Sequence, residues 1–127
     1  MAGMKLVVIE SPLRGDREKH KFYARLCMLD CLRRGEAPFA SHVLYDHPDV
    51  LDDTRPDERT LGMQAGFAWG AKADLCAVYE DINIMAGTPY SSGMLDGIER
   101  AKKAGISVDY RRLPEDLLES FLSRYPL

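Results

Sequence analysis

Residues 4–9 form a short apolar run, which suits a strand covered on both faces. The period then changes. Phe22, Leu26, Leu29, Cys31 and Leu32 recur at helical spacing through residues 17–34, with Asp16 placed as an N-cap and Gly35 where a helix ends. "PFASH", residues 38–42, reads as a second short strand. Residues 43–55 are polar, proline-bearing and rich in Asp, which predicts a long loop. Pro56 then opens a helix running to about residue 71, with Asp57 and Glu58 near its positive end. A third strand at 75–79 is closed by Glu80 and Asp81, and "INIMAGTPYSSG" makes a second long loop. A helix over 94–104 stops at Gly105, a fourth strand follows at 106–110, and an amphipathic helix over 114–125 closes the chain. Strands alternating with helices at this pitch imply right-handed crossovers. The expected fold is a three-layer α/β sandwich of Rossmann or flavodoxin type, with a mostly parallel sheet of four or five strands.

Composition narrows this in two respects. The 127 residues support one domain spanning the chain, and the net charge of −3 disfavours a nucleic-acid backbone as partner. No apolar run reaches the roughly 20 residues needed to cross a bilayer, and no signal-peptide core follows the first residues, so a cytoplasmic protein without a membrane partner is expected. Cys27, Cys31 and Cys76 lack a paired metal spacing and are expected as reduced thiols, Cys27 and Cys31 packing inward from one helix face.

In an open parallel sheet a ligand sits beyond the carboxyl ends of the strands. Residues 10–16, 41–45 and 80–93 are therefore expected to meet on one edge. Arg14, Gly15 and Asp16 open the first helix, and Ser91, Ser92 and Gly93 open the one before Met94, so two helix N-termini could face an anion. Plain capping by Asp16 and Ser91 or Ser92 is the competing explanation. Neither stretch spells a dinucleotide or P-loop fingerprint. Glu10, Glu80 and Asp81 would stand at strand ends, where partial burial and mutual repulsion can raise a carboxyl pKa.

Asp96 and Glu99 share a face of the helix over 94–104. His42 ends the second expected strand, next to Ser41 and before Tyr45, and His20 and His47 are expected at the surface. Trp69 with Phe67 suggests a core or subunit-interface aromatic. Gly62, Gly66 and Gly70 recur every four residues, a smooth strip against which another helix or subunit can pack. No G-x-S-x-G elbow precedes a helix, so no Ser/His/Asp triad is read.

The first strand running into "ESPLRGD", together with "SSGMLDGIERAKKAGISV", resembles the nucleoside 2-deoxyribosyltransferase superfamily and its nucleotide N-glycosidase relatives. "IESP", residues 34–45 and residues 51–62 are similar to an uncharacterised bacterial and phage branch of it, over roughly the first 110 residues. The resemblance implies attack of a glutamate on the sugar C1′, from the fourth position after the glycine of the helix start, with nearby acids assisting departure of the base. That position is Gly97 in this chain, and Asp96 cannot simply inherit the role, because a one-residue shift turns a side chain by about 100°.

The expected activity is cleavage or transfer at the N-glycosidic bond of a nucleoside or nucleotide. Glu10, Asp81, Asp96 and Glu99 are its candidate carboxylates. Ser11, Arg14, Gly15, Ser92 and Gly93 would hold phosphate or sugar, flanked by Pro12, Asp16, Ser91 and Met94, and His42 and Tyr45 would edge the pocket. This chemistry needs no metal or cofactor. A homo-oligomer is implied by the resemblance, with the glycine strip and the aromatics as the only hints in the sequence itself. The alternative is a binder that senses or sequesters a nucleotide-derived ligand without turning it over.

Overall fold

The computed structural model describes residues 3–12, 16–80 and 90–126. Four strands, β1 (Leu6–Glu10), β2 (Ala37–Phe39), β3 (Leu75–Tyr79) and β4 (Ser107–Arg111), form one parallel sheet in the order β2-β1-β3-β4. Register is continuous across it, with Val8 opposite Phe39 and Cys76, and Cys76 opposite Val108. Five helices complete the sandwich: α1 (Arg17–Arg33), α2 (Ser41–Tyr45), α3 (Pro56–Gly70), α4 (Ser92–Lys103) and α5 (Glu115–Arg124).

Alternation along each strand divides the molecule into two faces. Val7, Ile9, Ala77 and Tyr79 point into a core shared with Tyr23 and Cys27 of α1 and Leu117 and Phe121 of α5. Val8, Cys76 and Val78 point the other way, against Met94, Ile98 and Ala101 of α4. α3 lies on this second face, where a Cβ at Gly70 would stand 3.9 Å from Val8 Cγ2. Strand order reverses between β1 and β3, both of which end at the same edge.

Local signals explain the helix ends. Asp16 caps α1 by accepting from Lys19 N at 3.2 Å, and Gly35 takes φ +79° just beyond it, a left-handed conformation that costs glycine little. Pro56 occupies the first turn of α3. The three cysteines are buried and free.

The region after β2 departs from the sequence expectation. β2 ends at Phe39, and residues 41–45 form α2 rather than the end of a strand, so His42 is helical. The Ala40 carbonyl accepts from Val43 N at 3.1 Å and Leu44 N at 3.3 Å, which turns the chain immediately after the sheet. The expected loop 43–55 is shortened accordingly and pinned by a bridge between Asp46 and Leu51. His20 is buried, not on the surface, on the α1 face it shares with Ala24, Cys27 and Cys31. The second long loop lies mostly outside the described residues. No described helix is long and apolar enough to cross a membrane.

Candidate functional site

A cavity of about 510 Å³ opens between α3 and α4, beside the carboxyl end of β1 and at the reversal in strand order. That is where a doubly wound sheet offers a ligand its crevice. Gly62, Gly66 and Gly70 of α3 all line the cavity, and Gly70 alone of the three stands beside the sheet, at Val8. A Cβ at Gly66 would press on Ser41 Cβ at 3.0 Å and one at Gly62 would touch Leu51 Cδ1 at 3.4 Å, so the strip accommodates α2 and its following turn. The partner of the strip is thus within the same chain. Leu51, Met63, Phe67, Met94 and Ile106 give the cavity an apolar lining.

Glu10 stands on the cavity wall at the end of β1, and its carboxyl lies directly against α4. A Cβ built on Gly97 would be 2.3 Å from Glu10 Oε2, so any side chain at 97 and this carboxyl would claim the same space. Desolvation by the surrounding protein, reinforced by the negative charge of Asp96, pushes the Glu10 pKa up to about 8. At neutral pH the group therefore carries its proton.

Across the cavity wall, Ser11 Oγ and His42 Nε2 share a hydrogen bond of 3.1 Å. Burial pulls the His42 pKa down to about 4, with the charge of Asp46 working against that and His20 and Lys21 with it. The imidazole is neutral at physiological pH. Asp46, four residues on, has its carboxylate held by Arg17 and, at 3.2 Å, by Lys21 Nζ. A base so reluctant to take a proton is a poor partner for nucleophilic serine, so the Ser11–His42 pair serves to fix geometry. Tyr45 also lines the cavity, its hydroxyl accepting from Trp69 Nε1 at 3.0 Å. Trp69 itself is 56% exposed and stacks on Phe39 with ring centroids 5.1 Å apart.

The structure sorts the sequence candidates. Glu10, Ser11, His42, Tyr45, Ser91, Gly93 and Met94 converge on the cavity. Asp96 lies just outside the wall, acting on Glu10 through its charge while its own Oδ2 sits 3.6 Å from Arg100 Nε. Glu99 points away, exposed and paired with Lys103 at 3.1 Å. Ser92 is exposed, Pro12 is buried, and neither lines the cavity; Asp16 is an exposed cap. Glu80 is engaged by the Tyr90 hydroxyl at 2.5 Å. Arg14, Gly15 and Asp81 lie outside the described residues.

Wall residues that sequence reasoning missed include Arg59, Met63 and Arg100, whose guanidinium sits 3.8 Å above the Phe67 ring across the cavity. For Arg59 and Met63 the glycine period on α3 was the signal, since it marks which face of that helix turns inward; Arg100, on α4, had no such signal.

Fold and cavity together define an α/β protein with an open cleft at its topological switch point and an uncharged carboxyl in the cleft wall. Residues 5–111 match the family model described as a domain of unknown function, DUF7768, and the chain belongs to that family. No curated protein matches the chain.

Proposed function

We propose that the cleft binds a nucleoside or nucleotide and that Glu10 serves cleavage or transfer at its N-glycosidic bond. The observation that carries this reading is the Glu10 carboxyl, protonated at neutral pH and seated against Gly97 on the cavity wall. The resemblance implied by the sequence expects a carboxyl from position 97. Here the space beside that position is filled by a carboxyl reaching in from β1.

Its chemistry suits a general acid. As the C1′–N bond breaks, the proton of Glu10 passes to the departing base, and the cationic sugar carbon is captured by water or by an acceptor nucleophile, which releases its own proton to solvent. The nearby negative charge of Asp96 favours the oxocarbenium-like transition state. A homo-oligomeric, cytoplasmic protein remains part of this proposal, and the exposed Leu61 and Trp69 on α3 offer apolar surface for such contacts.

A second reading, a binder that leaves its ligand intact, is favoured by a different observation. Neither Glu10 nor His42 is charged at neutral pH, so these two groups offer no ionised nucleophile from the wall. One experiment separates the two. Purified protein is incubated with a panel of nucleosides and nucleoside monophosphates, and free base is followed by chromatography. Glu10→Gln should lower base release by at least ~100-fold, whereas Glu99→Gln should leave it unchanged. Binding of an intact ligand without base release would replace the enzyme reading with the binder.

A further inference from the structure

Both helix N-termini that the sequence offers to an anion are occupied by their own chain. Asp16 places a carboxylate at the start of α1 and accepts from Lys19 N, so a phosphate there would meet a like charge. Ser91 Oγ accepts from Met94 N at 3.2 Å, taking up a donor at the start of α4. An anion in the cleft would have to find its positive partner elsewhere.

The described cavity wall carries three such groups, Arg59, Arg100 and Lys103. Arg100 is shared between Asp96 and the face of Phe67, and Lys103 is paired with Glu99. Arg59 differs. Among the described residues its guanidinium makes no ion pair or side-chain hydrogen bond, although carboxylates lie close in sequence and on the same wall. Those carboxylates are already engaged: Glu58 with Arg55 at 3.0 Å, Asp53 with Arg17 at 3.5 Å, and Asp46 with Arg17 and Lys21. Arg59 belongs to the first turns of α3, which follows the turn after α2 that also lines the cavity. A half-buried guanidinium left without a counter-ion beside compensated acids is suited to a dianion brought by the ligand, which its planar fork can hold through two hydrogen bonds.

We propose that Arg59 anchors the phosphate of a sugar-phosphate ligand, so that the cleft takes a nucleoside 5′-monophosphate in preference to the parent nucleoside. The base and sugar rest on the function proposed above; the phosphate anchor does not.

The test is calorimetric titration of wild type, Arg59→Ala and Arg59→Lys with three probes: a nucleoside, its 5′-monophosphate and ribose 5-phosphate. Thermal unfolding of each variant confirms that it is folded. Arg59→Ala should weaken both phosphate-bearing probes by about 10- to 100-fold and leave the nucleoside within about twofold, with Arg59→Lys between them. The anchor is overturned if Arg59→Ala binds the monophosphate as tightly as wild type, or if neither phosphate-bearing probe binds wild type. Arg59-dependent binding of ribose 5-phosphate with no binding of nucleoside or nucleotide would uphold the anchor and remove the N-glycoside reading. Nucleoside binding that ignores the phosphate would do the reverse.

Discussion

The two faces of the sheet are built from the same strands and covered by helices of similar length, yet they end in opposite states. On one, α1 buries Tyr23, Ala24, Leu26, Cys27 and Cys31 against Phe121 and Leu117 of α5. On the other, α3 has no fully buried residue, and the gap between it and α4 is the cleft. The difference lies in what each helix turns inward. α1 presents large apolar side chains, whereas α3 presents three glycines, of which Gly70 stands beside Val8 of the sheet and Gly62 and Gly66 face Leu51 and Ser41, each costing about 1 kcal/mol of helix propensity relative to alanine. A chain that accepts that cost on one face while filling the other has reserved volume for something else.

Polar groups divide the same way. On the packed face, Arg111 is buried but fully answered, its guanidinium donating to both oxygens of Glu36 at 2.7 Å, and the Tyr79 hydroxyl donates to Asp30 at 2.6 Å. The Arg111 hydrogen bonds hold the Glu36 carboxyl below its ordinary range. On the cleft face, Glu10 has no cation to answer it among the described residues and keeps its proton instead. Burial with a partner preserves charge; burial without one removes it.

The largest expected effect falls on the packed face. Phe121 is 1% exposed, edge-on to Tyr23 at 5.5 Å and stacked with Phe22 at 6.0 Å, so Phe121→Ala should cost about 3–5 kcal/mol in urea unfolding. A loss below about 1 kcal/mol would mean that this face is no better packed than the other.

A smaller effect tests the contact between Glu10 and α4. Gly97→Ala brings a methyl group into the Glu10 carboxyl and should cost about 1–3 kcal/mol, much of it recovered when Glu10→Ala is added. Strictly additive costs in that double-mutant cycle would show that the two residues do not compete for one space.

The smallest effect per step is the response to pH. The folded Glu10 pKa, about 8, lies above the ordinary value of 4.5, so the folded state holds a proton that the unfolded chain has released. The stability from this group is complete below about pH 4.5 and is lost as pH rises through about 8, with a slope of at most ~1.4 kcal/mol per pH unit. Stability measured between pH 5 and 8 should fall more steeply in wild type than in Glu10→Gln. Parallel profiles would indicate an ordinary, ionised carboxylate and would remove the general acid from the proposed chemistry.

Most of the fold was legible along the chain because its causes are local. The capping role of Asp16, Pro56 at the start of α3, and the glycines after α1 and α4 each act within a few residues, and the apolar strands needed only a neighbour on either side. α2 was not legible, because "SHVLY" has strand-like composition and turns helical only through the carbonyl of Ala40 at the sheet edge. The burial of His20 escaped for a related reason, since helical spacing does not say which stripe meets the sheet.

What the sequence settled by itself was therefore the alternation of elements and the carboxyl edge at which their polar tips gather, since both follow from periodicity and chain connectivity. Which tips meet was decided only in three dimensions. Glu10 lies against Gly97, Ser11 pairs with His42, Glu99 turns away, and Arg59 is left without a carboxylate among the described residues, because contacts between residues distant in the chain depend on how α3 and α4 settle on the sheet. The protonation states follow the same logic: a carboxyl or an imidazole takes its pKa from neighbours that only packing can supply.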